Sequence, residues 1–186
     1  MKNYLLIFAL IGLFFSGCSN EADITSPDQS INLEPNWIKL PSTVGLQVNT
    51  DYTATNRING TQGGYLECSF SYHGGNFGQV SGFAELVVTS CSFPGNKNIS
   101  MTLSNENTSV IFGPELNFNS NVYYSVTYTG INLNGIDPQT VKFAYIASDG
   151  TIRIAQHEGI TVDFSTGTLS VHNALLPHFS RYGFVN

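Results

Sequence analysis

Charge is scarce in this chain. Only 11% of its 186 residues are Asp, Glu, Lys or Arg, and the seven basic residues form no cluster. The balance is acidic, with thirteen acidic residues and a formal net charge of −6. Because a nucleic-acid backbone and an anionic head-group surface both attract concentrated positive charge, neither is expected as a partner.

Several kinds of reactive site are missing as well. The four histidines, at positions 73, 157, 172 and 178, lack the short paired spacing that is typical of zinc ligands. The chain has no nucleophile elbow and no phosphate-binding glycine loop, and it shows no local pair of catalytic carboxylates or triad, although distant residues could converge in space. The sequence predicts no metal, no cofactor and, apart from one self-cleavage hypothesis, no enzymatic activity.

The longest apolar run lies near the N-terminus, from Tyr4 to Phe15, and is preceded by a single basic residue, Lys2. It is too short to span a bilayer comfortably and is typical of a secretory signal peptide. Phe15-Ser16-Gly17-Cys18 follows it and resembles a bacterial lipobox. By that resemblance residues 1–17 are removed and Cys18 carries acyl chains, which anchor a protein through burial of about 0.8 kcal/mol per methylene. The alternative is a free thiol after an ordinary signal peptide.

Residues 18–36 are polar and acidic, with Pro27 and Pro35 and little to bury. Such a composition favours a flexible tether. Ser19 follows the cysteine where Asp would stand in proteins kept at the inner membrane, so by resemblance to Gram-negative sorting rules the outer membrane is favoured. The N-terminal segments thus predict a bacterial cell-envelope protein held on a membrane by its lipid.

Residues 37–186 predict a single all-β domain. The composition is rich in Tyr, Phe, Thr, Val, Ser, Asn and Gly, which are strand and turn residues. Apolar and polar residues alternate over segments 65–72, 83–89, 99–103, 122–128, 141–145, 152–154, 160–164 and 169–171. Asp149-Gly150 and Ser165-Thr166-Gly167 predict hairpin turns, and Asn134-Gly135 is interpreted as a turn rather than a calcium loop. Many short strands at this spacing favour an antiparallel, immunoglobulin-like β-sandwich over a barrel.

Two cysteines remain once Cys18 is assigned to the lipid. Cys68 and Cys91 lie in or beside predicted strands, in a compartment that permits oxidation. A bridge between them would add about 3 kcal/mol on the chain-entropy model. We prefer the disulfide to the alternative of two buried thiols, although the sequence does not give their separation.

The order of several motifs resembles a known domain. Asn59-Gly60-Thr61-Gln62-Gly63-Gly64 precedes a clear strand, Ile99-Ser100-Met101 follows the next turn, Phe112-Gly113-Pro114 comes later, and the chain closes on His178-Phe179-Ser180-Arg181-Tyr182. This order resembles the β-sandwich domain of the zona-occludens and uncoordinated (ZU-five) type, known from ankyrins, netrin receptors and tight-junction scaffolds, and similar domains occur in bacterial lipoproteins. The turn Ser90-Cys91-Ser92-Phe93 departs from the family pattern. The resemblance covers residues 56–186 and implies an interaction module.

The closing motif raises the self-cleavage hypothesis. Some relatives of this fold cut themselves between Phe and Ser, and the resemblance would make Ser180 the nucleophile toward the Phe179 carbonyl, with His178 taking its proton. That reaction needs a strained peptide bond. The preferred alternative is a closing strand that begins after Pro177, in which Phe179 fills the core and its neighbours point outward or satisfy hydrogen bonds at the sheet edge.

The main functional prediction is a surface lipoprotein that presents its sandwich to a protein or glycan, or serves as a structural module of the envelope. For a glycan ligand the candidates are exposed aromatic residues, because sugar faces stack on rings. These candidates are Tyr123 and, beside the HGGNFG loop, Tyr72 with His73. Ordinary sheet packing is the alternative for each of them.

Overall fold

The computed structural model describes residues 35–43, 51–147 and 149–186, which belong to one compact unit, Leu33–Asn186. The predicted signal peptide, the lipidation at Cys18 and most of the predicted tether lie outside the described residues. Within the described ranges, no helix is long and apolar enough to cross a membrane.

Eleven β-strands form the fold over the described residues. In chain order they are β1 (Tyr52–Asn59), β2 (Gly64–His73), β3 (Gln79–Val88), β4 (Asn96–Leu103), β5 (Val110–Gly113), β6 (Val122–Thr129), β7 (Lys142–Ile146), β8 (Ile152–Ile154), β9 (Gly159–Asp163), β10 (Thr168–Leu175) and β11 (Arg181–Val185). One sheet has the order β1-β4-β5-β11-β7-β8 and the other β2-β3-β6-β10-β9. All pairings are antiparallel, and the two sheets share one core, which confirms the predicted β-sandwich.

The core is built from the alternating residues of both sheets. On β6, for example, Val122, Tyr124 and Val126 are buried while Tyr123 and Ser125 between them are only partly covered. Burying each large apolar side chain stabilises the fold by about 1.5–3 kcal/mol. The faces predicted for segments 83–89, 99–103 and 122–128 agree with the observed burial, whereas the apolar residues of segment 152–154 are exposed on β8.

The predicted Asp-Gly hairpin joins β7 to β8. Asp149 accepts hydrogen bonds from the Thr151 hydroxyl at 2.6 Å and the Thr151 amide at 3.0 Å, and Gly150 has a φ of 78°. Arg153 adds an ion pair at 2.8 Å. The Thr151 hydroxyl and amide, followed by the charge of Arg153, lower the pKa of Asp149 to about 2. The second predicted hairpin, at residues 165–167, joins β9 to β10.

The N-terminal part of the described chain packs on the last strand. Trp37 forms a β-bridge with Val185, and the Ile38 amide donates to the Phe184 carbonyl at 2.9 Å. The indole lies directly over Gly183, where an added Cβ would stand 2.7 Å from a ring carbon. This glycine is needed because any side chain would displace the tryptophan.

The predicted disulfide is wrong, because Cys68 and Cys91 are free thiols. Cys68 faces the core from the middle of β2, opposite Ala84, whereas Cys91 is exposed in the turn after Val88. Because Ala84 is the strand partner of Cys68, the length of β3 from Ala84 to Val88 already separates the two cysteines by about 13 Å along the sheet. Bridged cysteines need Cα atoms within about 7 Å. The Cys68 thiol instead donates to the Tyr52 carbonyl at 3.4 Å, and burial raises its pKa.

Candidate binding face

Exposed apolar side chains gather on the outer surface of the five-stranded sheet. Tyr65 on β2 pairs with Val87 on β3, which pairs with Tyr123 on β6, so the three form one row across the strands. Tyr65 is 62% exposed and Val87 37%, and Phe83, on the same face of β3, is 51% exposed. The Tyr123 hydroxyl accepts a hydrogen bond from the Asn121 amide at 2.8 Å, which holds its ring in place. We call Tyr65, Phe83, Val87 and Tyr123 the aromatic face.

A polar row crosses the sheet inside this face, between Phe83 and the Tyr65 row. Glu67 on β2 lies directly opposite Glu85 on β3, and Glu85 lies opposite Ser125 on β6. Like charges that face each other across two strands weaken the pairing. The facing Glu67 and Glu85 therefore lower the stability of the sheet rather than adding to it.

A β-bulge extends the polar row on β10. The register shifts between Val171 and Ala174, so that His172 and Asn173 together oppose Ser125. Asn173 has a φ of 47°, in the left-handed region that Asn tolerates better than most residues. A bulge of this kind turns both of its residues toward the same side of the sheet, which here is the outer side.

The bulge residues are held in a hydrogen-bonded network. The Asn173 amide nitrogen donates to Glu158 at 2.9 Å, and the Asn173 backbone amide donates to the Ser125 hydroxyl at 3.0 Å. His172 lies 3.4 Å from the same Glu158 carboxylate. From Glu67 to Glu158 the polar row crosses about four strand spacings, or about 19 Å.

The strands of the two sheets carry opposite charges. The strands of the five-stranded sheet contain Glu67, Glu85 and Asp163 and no Lys or Arg, whereas those of the six-stranded sheet contain Arg57, Lys97, Lys142, Arg153 and Arg181 and no acidic residue. The aromatic face therefore lies on the acidic side of the sandwich, where an anionic ligand is repelled.

Of the predicted binding residues, only Tyr123 lies on the aromatic face. Tyr72 points to the other side of β2, where its ring stacks on Phe70 at 5.8 Å and its hydroxyl donates to the Pro41 carbonyl at 2.7 Å. Burial raises its pKa to about 12. His73 is exposed at the far end of β2, next to Gln79. Tyr72 thus holds the N-terminal segment against the sandwich.

The sequence interpretation missed Tyr65 and Phe83, although the signal was present. The alternation that places Leu66 and Ala84 in the core places Tyr65 and Phe83 on the opposite side. An exposed aromatic residue in each of two adjacent predicted strands could have been proposed as part of a surface.

The closing motif is only partly in a strand: His178, Phe179 and Ser180 precede β11, which begins at Arg181. Phe179 is 2% exposed and stacks on Phe112 at 5.2 Å, as the preferred interpretation expected for a core residue. The Phe179 amide donates to the Leu116 carbonyl at 2.9 Å, and the Ser180 hydroxyl donates to the Ile146 carbonyl at 2.6 Å. The hydroxyl proton that a base would have to remove is therefore already donated in a hydrogen bond to a carbonyl of β7.

His178 and Tyr182 complete this region. The His178 ring packs edge-on against Tyr145 at 5.3 Å, and the Tyr182 hydroxyl donates to the His178 carbonyl at 2.6 Å. Tyr182 is fully buried, so of the two expected positions for the neighbours of Phe179 it does not take the outward one, and its hydroxyl satisfies a hydrogen bond instead. His178 and Ser180 both line a shallow cavity of about 290 Å³, which also includes Glu115. Their hydrogen bonds and ring contacts serve the packing of the final segment.

In the described part of the chain, no three His, Cys, Asp or Glu residues form a group that could hold a metal ion. The chain matches no protein-family model, no curated protein and no solved structure at a significant level. The resemblance to the ZU-five-type domain stays a prediction.

Proposed function

We propose that the protein is a non-enzymatic lipoprotein of the bacterial cell envelope, anchored through Cys18 in the outer membrane, whose ZU-five-like sandwich holds a ligand on the aromatic face. The observation that carries this proposal is the group of Tyr65, Phe83 and Val87, exposed together on one sheet surface. Exposed apolar groups of this kind mark interaction sites.

The position of the aromatic face suits binding. Its side chains stand on β2, β3 and β6, which are neighbours in the sheet, and their inward-facing counterparts Leu66, Leu86 and Tyr124 are buried in the core. Side chains on packed strands are held more accurately than side chains on loops. Because this surface is preformed, binding of the ligand would order few side chains of the protein and would cost little conformational entropy.

Photo-crosslinking in living cells tests the binding role. We expect p-benzoyl-phenylalanine in place of Val87 to give a crosslinked product. The same residue in place of Phe164, which is 48% exposed in the turn between β9 and β10, should give none. Equal crosslinking at the two positions, or none at position 87, would contradict the proposed role of this face.

Metabolic labelling tests the anchor. We expect radiolabelled palmitate to enter the protein and the protein to fractionate with the outer membrane. Cys18→Ala should abolish the label, because the acylated thiol is lost, whereas Cys91→Ala should keep it. Label in the Cys18→Ala protein would contradict the assignment.

A further inference from the structure

We infer that the ligand of the aromatic face is a polysaccharide without acidic groups. This inference rests on the proposed binding role of the face and adds the chemical class of its ligand.

The aromatic row has the spacing of a repeating ligand. Tyr65 and Tyr123 stand on strands separated by one intervening strand, which carries Val87. Two strand spacings place the tyrosine positions about 10 Å apart. This distance is comparable to one disaccharide unit of an extended sugar chain, and the apolar face of a sugar ring stacks on an aromatic ring. A chain that lies along the row would present alternate sugar units to the two tyrosines.

The polar row supplies partners for the hydroxyl groups of such a chain. It runs parallel to the aromatic row, two residues farther along each strand, or about 7 Å. Glu67 and Glu85 can only accept hydrogen bonds, while Ser125 and Asn173 can both donate and accept. Sugar hydroxyls also do both. A hydroxyl-rich ligand would therefore donate to both carboxylates of the facing Glu67 and Glu85 pair, which the sheet alone leaves in unfavourable proximity.

The charge of the aromatic face determines which polysaccharides can bind to it. The strands that form the face contain no Lys or Arg, so a uronate or phosphate group would meet carboxylates without a compensating cation. Acidic polymers are excluded on this ground, while uncharged chains meet no electrostatic barrier.

The same composition argues against a protein partner. Protein interfaces are depleted in Glu and Ser at their centres. Here Glu67 and Glu85 lie in the middle of the face, and Ser69, Ser81 and Ser125 lie among its aromatic residues. The polar row separates Phe83 from the row of Tyr65, Val87 and Tyr123, so the apolar part of the face is narrow.

The test measures polysaccharide binding to the full-length protein in detergent by isothermal titration calorimetry. The uncharged probes are glucomannan, arabinoxylan, dextran and chitin oligosaccharides, and the acidic probe is polygalacturonate. We expect at least one uncharged probe to bind and polygalacturonate to bind at least tenfold more weakly. Binding of no uncharged probe, or equal binding of polygalacturonate, would overturn the inference.

Variants locate the binding to the face. Tyr65→Ala and Tyr123→Ala should each weaken binding of the uncharged probe about tenfold, while Phe164→Ala, an exposed ring outside the face, should change it less than twofold. Urea unfolding of each variant controls for folding. If the two tyrosine variants bind like the wild type while Phe164→Ala does not, the site lies elsewhere and the inference fails.

A charge variant tests the selection separately. The double variant Glu67→Gln and Glu85→Gln should bind polygalacturonate at least fivefold more tightly than the wild type, because the repulsion is removed. Glu115→Gln, outside the strands, should leave that affinity unchanged. No gain in the double variant would refute the role of the two carboxylates.

The crosslinking at position 87 separates the two proposals. A crosslinked protein, together with no bound polysaccharide, would overturn the ligand class and leave the binding role standing. No crosslink of any kind and no bound polysaccharide would overturn both.

Discussion

The replacement Phe179→Ala distinguishes a packed closing segment from a reactive one. The ring is 2% exposed and contacts Phe112 at 5.2 Å and Phe118 at 4.8 Å between ring centroids. Replacing a buried Phe by Ala costs about 3–5 kcal/mol, since the transfer energy of the ring is lost and a cavity remains. The free energy of unfolding of a domain is about 5–15 kcal/mol. We therefore expect Phe179→Ala to bring the protein close to its stability limit.

Ser180→Ala is the matched comparison at the next position. It removes one hydrogen bond, from the hydroxyl to the Ile146 carbonyl, and should cost about 1 kcal/mol. The two variants should thus differ by about 3 kcal/mol, or more than a hundredfold in the equilibrium constant for unfolding. Urea denaturation measures both, with the emission of the single tryptophan, Trp37, as the probe.

The same samples test self-cleavage by intact-mass measurement. The wild type should keep residues 180–186 after prolonged incubation, because the Ser180 hydroxyl donates to Ile146 in the folded state, and Ser180→Ala should keep them because it has no such hydroxyl. A shortened species that appears in the wild type and disappears in Ser180→Ala would refute this reasoning. So would a larger loss of stability in Ser180→Ala than in Phe179→Ala.

Three further predictions concern other parts of the fold. Gly183→Ala should lower the free energy of unfolding by about 1–3 kcal/mol and shift the tryptophan emission to the red, because the new methyl group displaces the indole; Gly159→Ala, where the added atom meets open space, should do neither. Maleimide should label Cys91 in the folded protein and Cys68 only after unfolding, and a mass that shows a bridge between them would contradict this. The Asp149 carboxyl should titrate near pH 2 by NMR, so its contribution to stability is complete above its unfolded pKa of about 3.9 and is lost as the pH falls toward 2; a midpoint near 3.9 would refute the hydrogen bonds of its turn.

The sequence predicted the strands that are buried on one side. On β2, β3 and β6 the inward positions are occupied almost entirely by apolar residues, so the period of two is clear. The hairpin at Asp149-Gly150 was equally predictable, because a turn position with positive φ is most easily occupied by glycine.

Other elements carry too weak a pattern. β1 was not predicted, since only Ile58 among its residues is fully buried and its other positions are largely polar. β5 has four residues, too few to establish a period. The closing strand was predicted to include Phe179, but β11 begins at Arg181. An apolar residue such as Phe179 is equally compatible with a buried loop and with a buried strand, so the sequence does not distinguish the two.

The candidate face could be predicted only in part. Its residues follow from alternation, but the row that joins Tyr65 to Tyr123 depends on which strands are neighbours and on their register. Neither is encoded in a local pattern. The failed disulfide has the same origin, because Cys68 and Cys91 lie near strands that pair but at different heights along them.

The bulge on β10 has a consequence for length variation in the chain. Leu169 and Val171 before it and Ala174 and Leu176 after it are all buried, so the odd positions face the core on one side of the bulge and the even positions on the other. Deleting Asn173 would restore strict alternation and leave these four residues in the core. The strand therefore contains one residue more than its packing requires, and a single-codon deletion would produce a sandwich with an intact core and a shortened outer network.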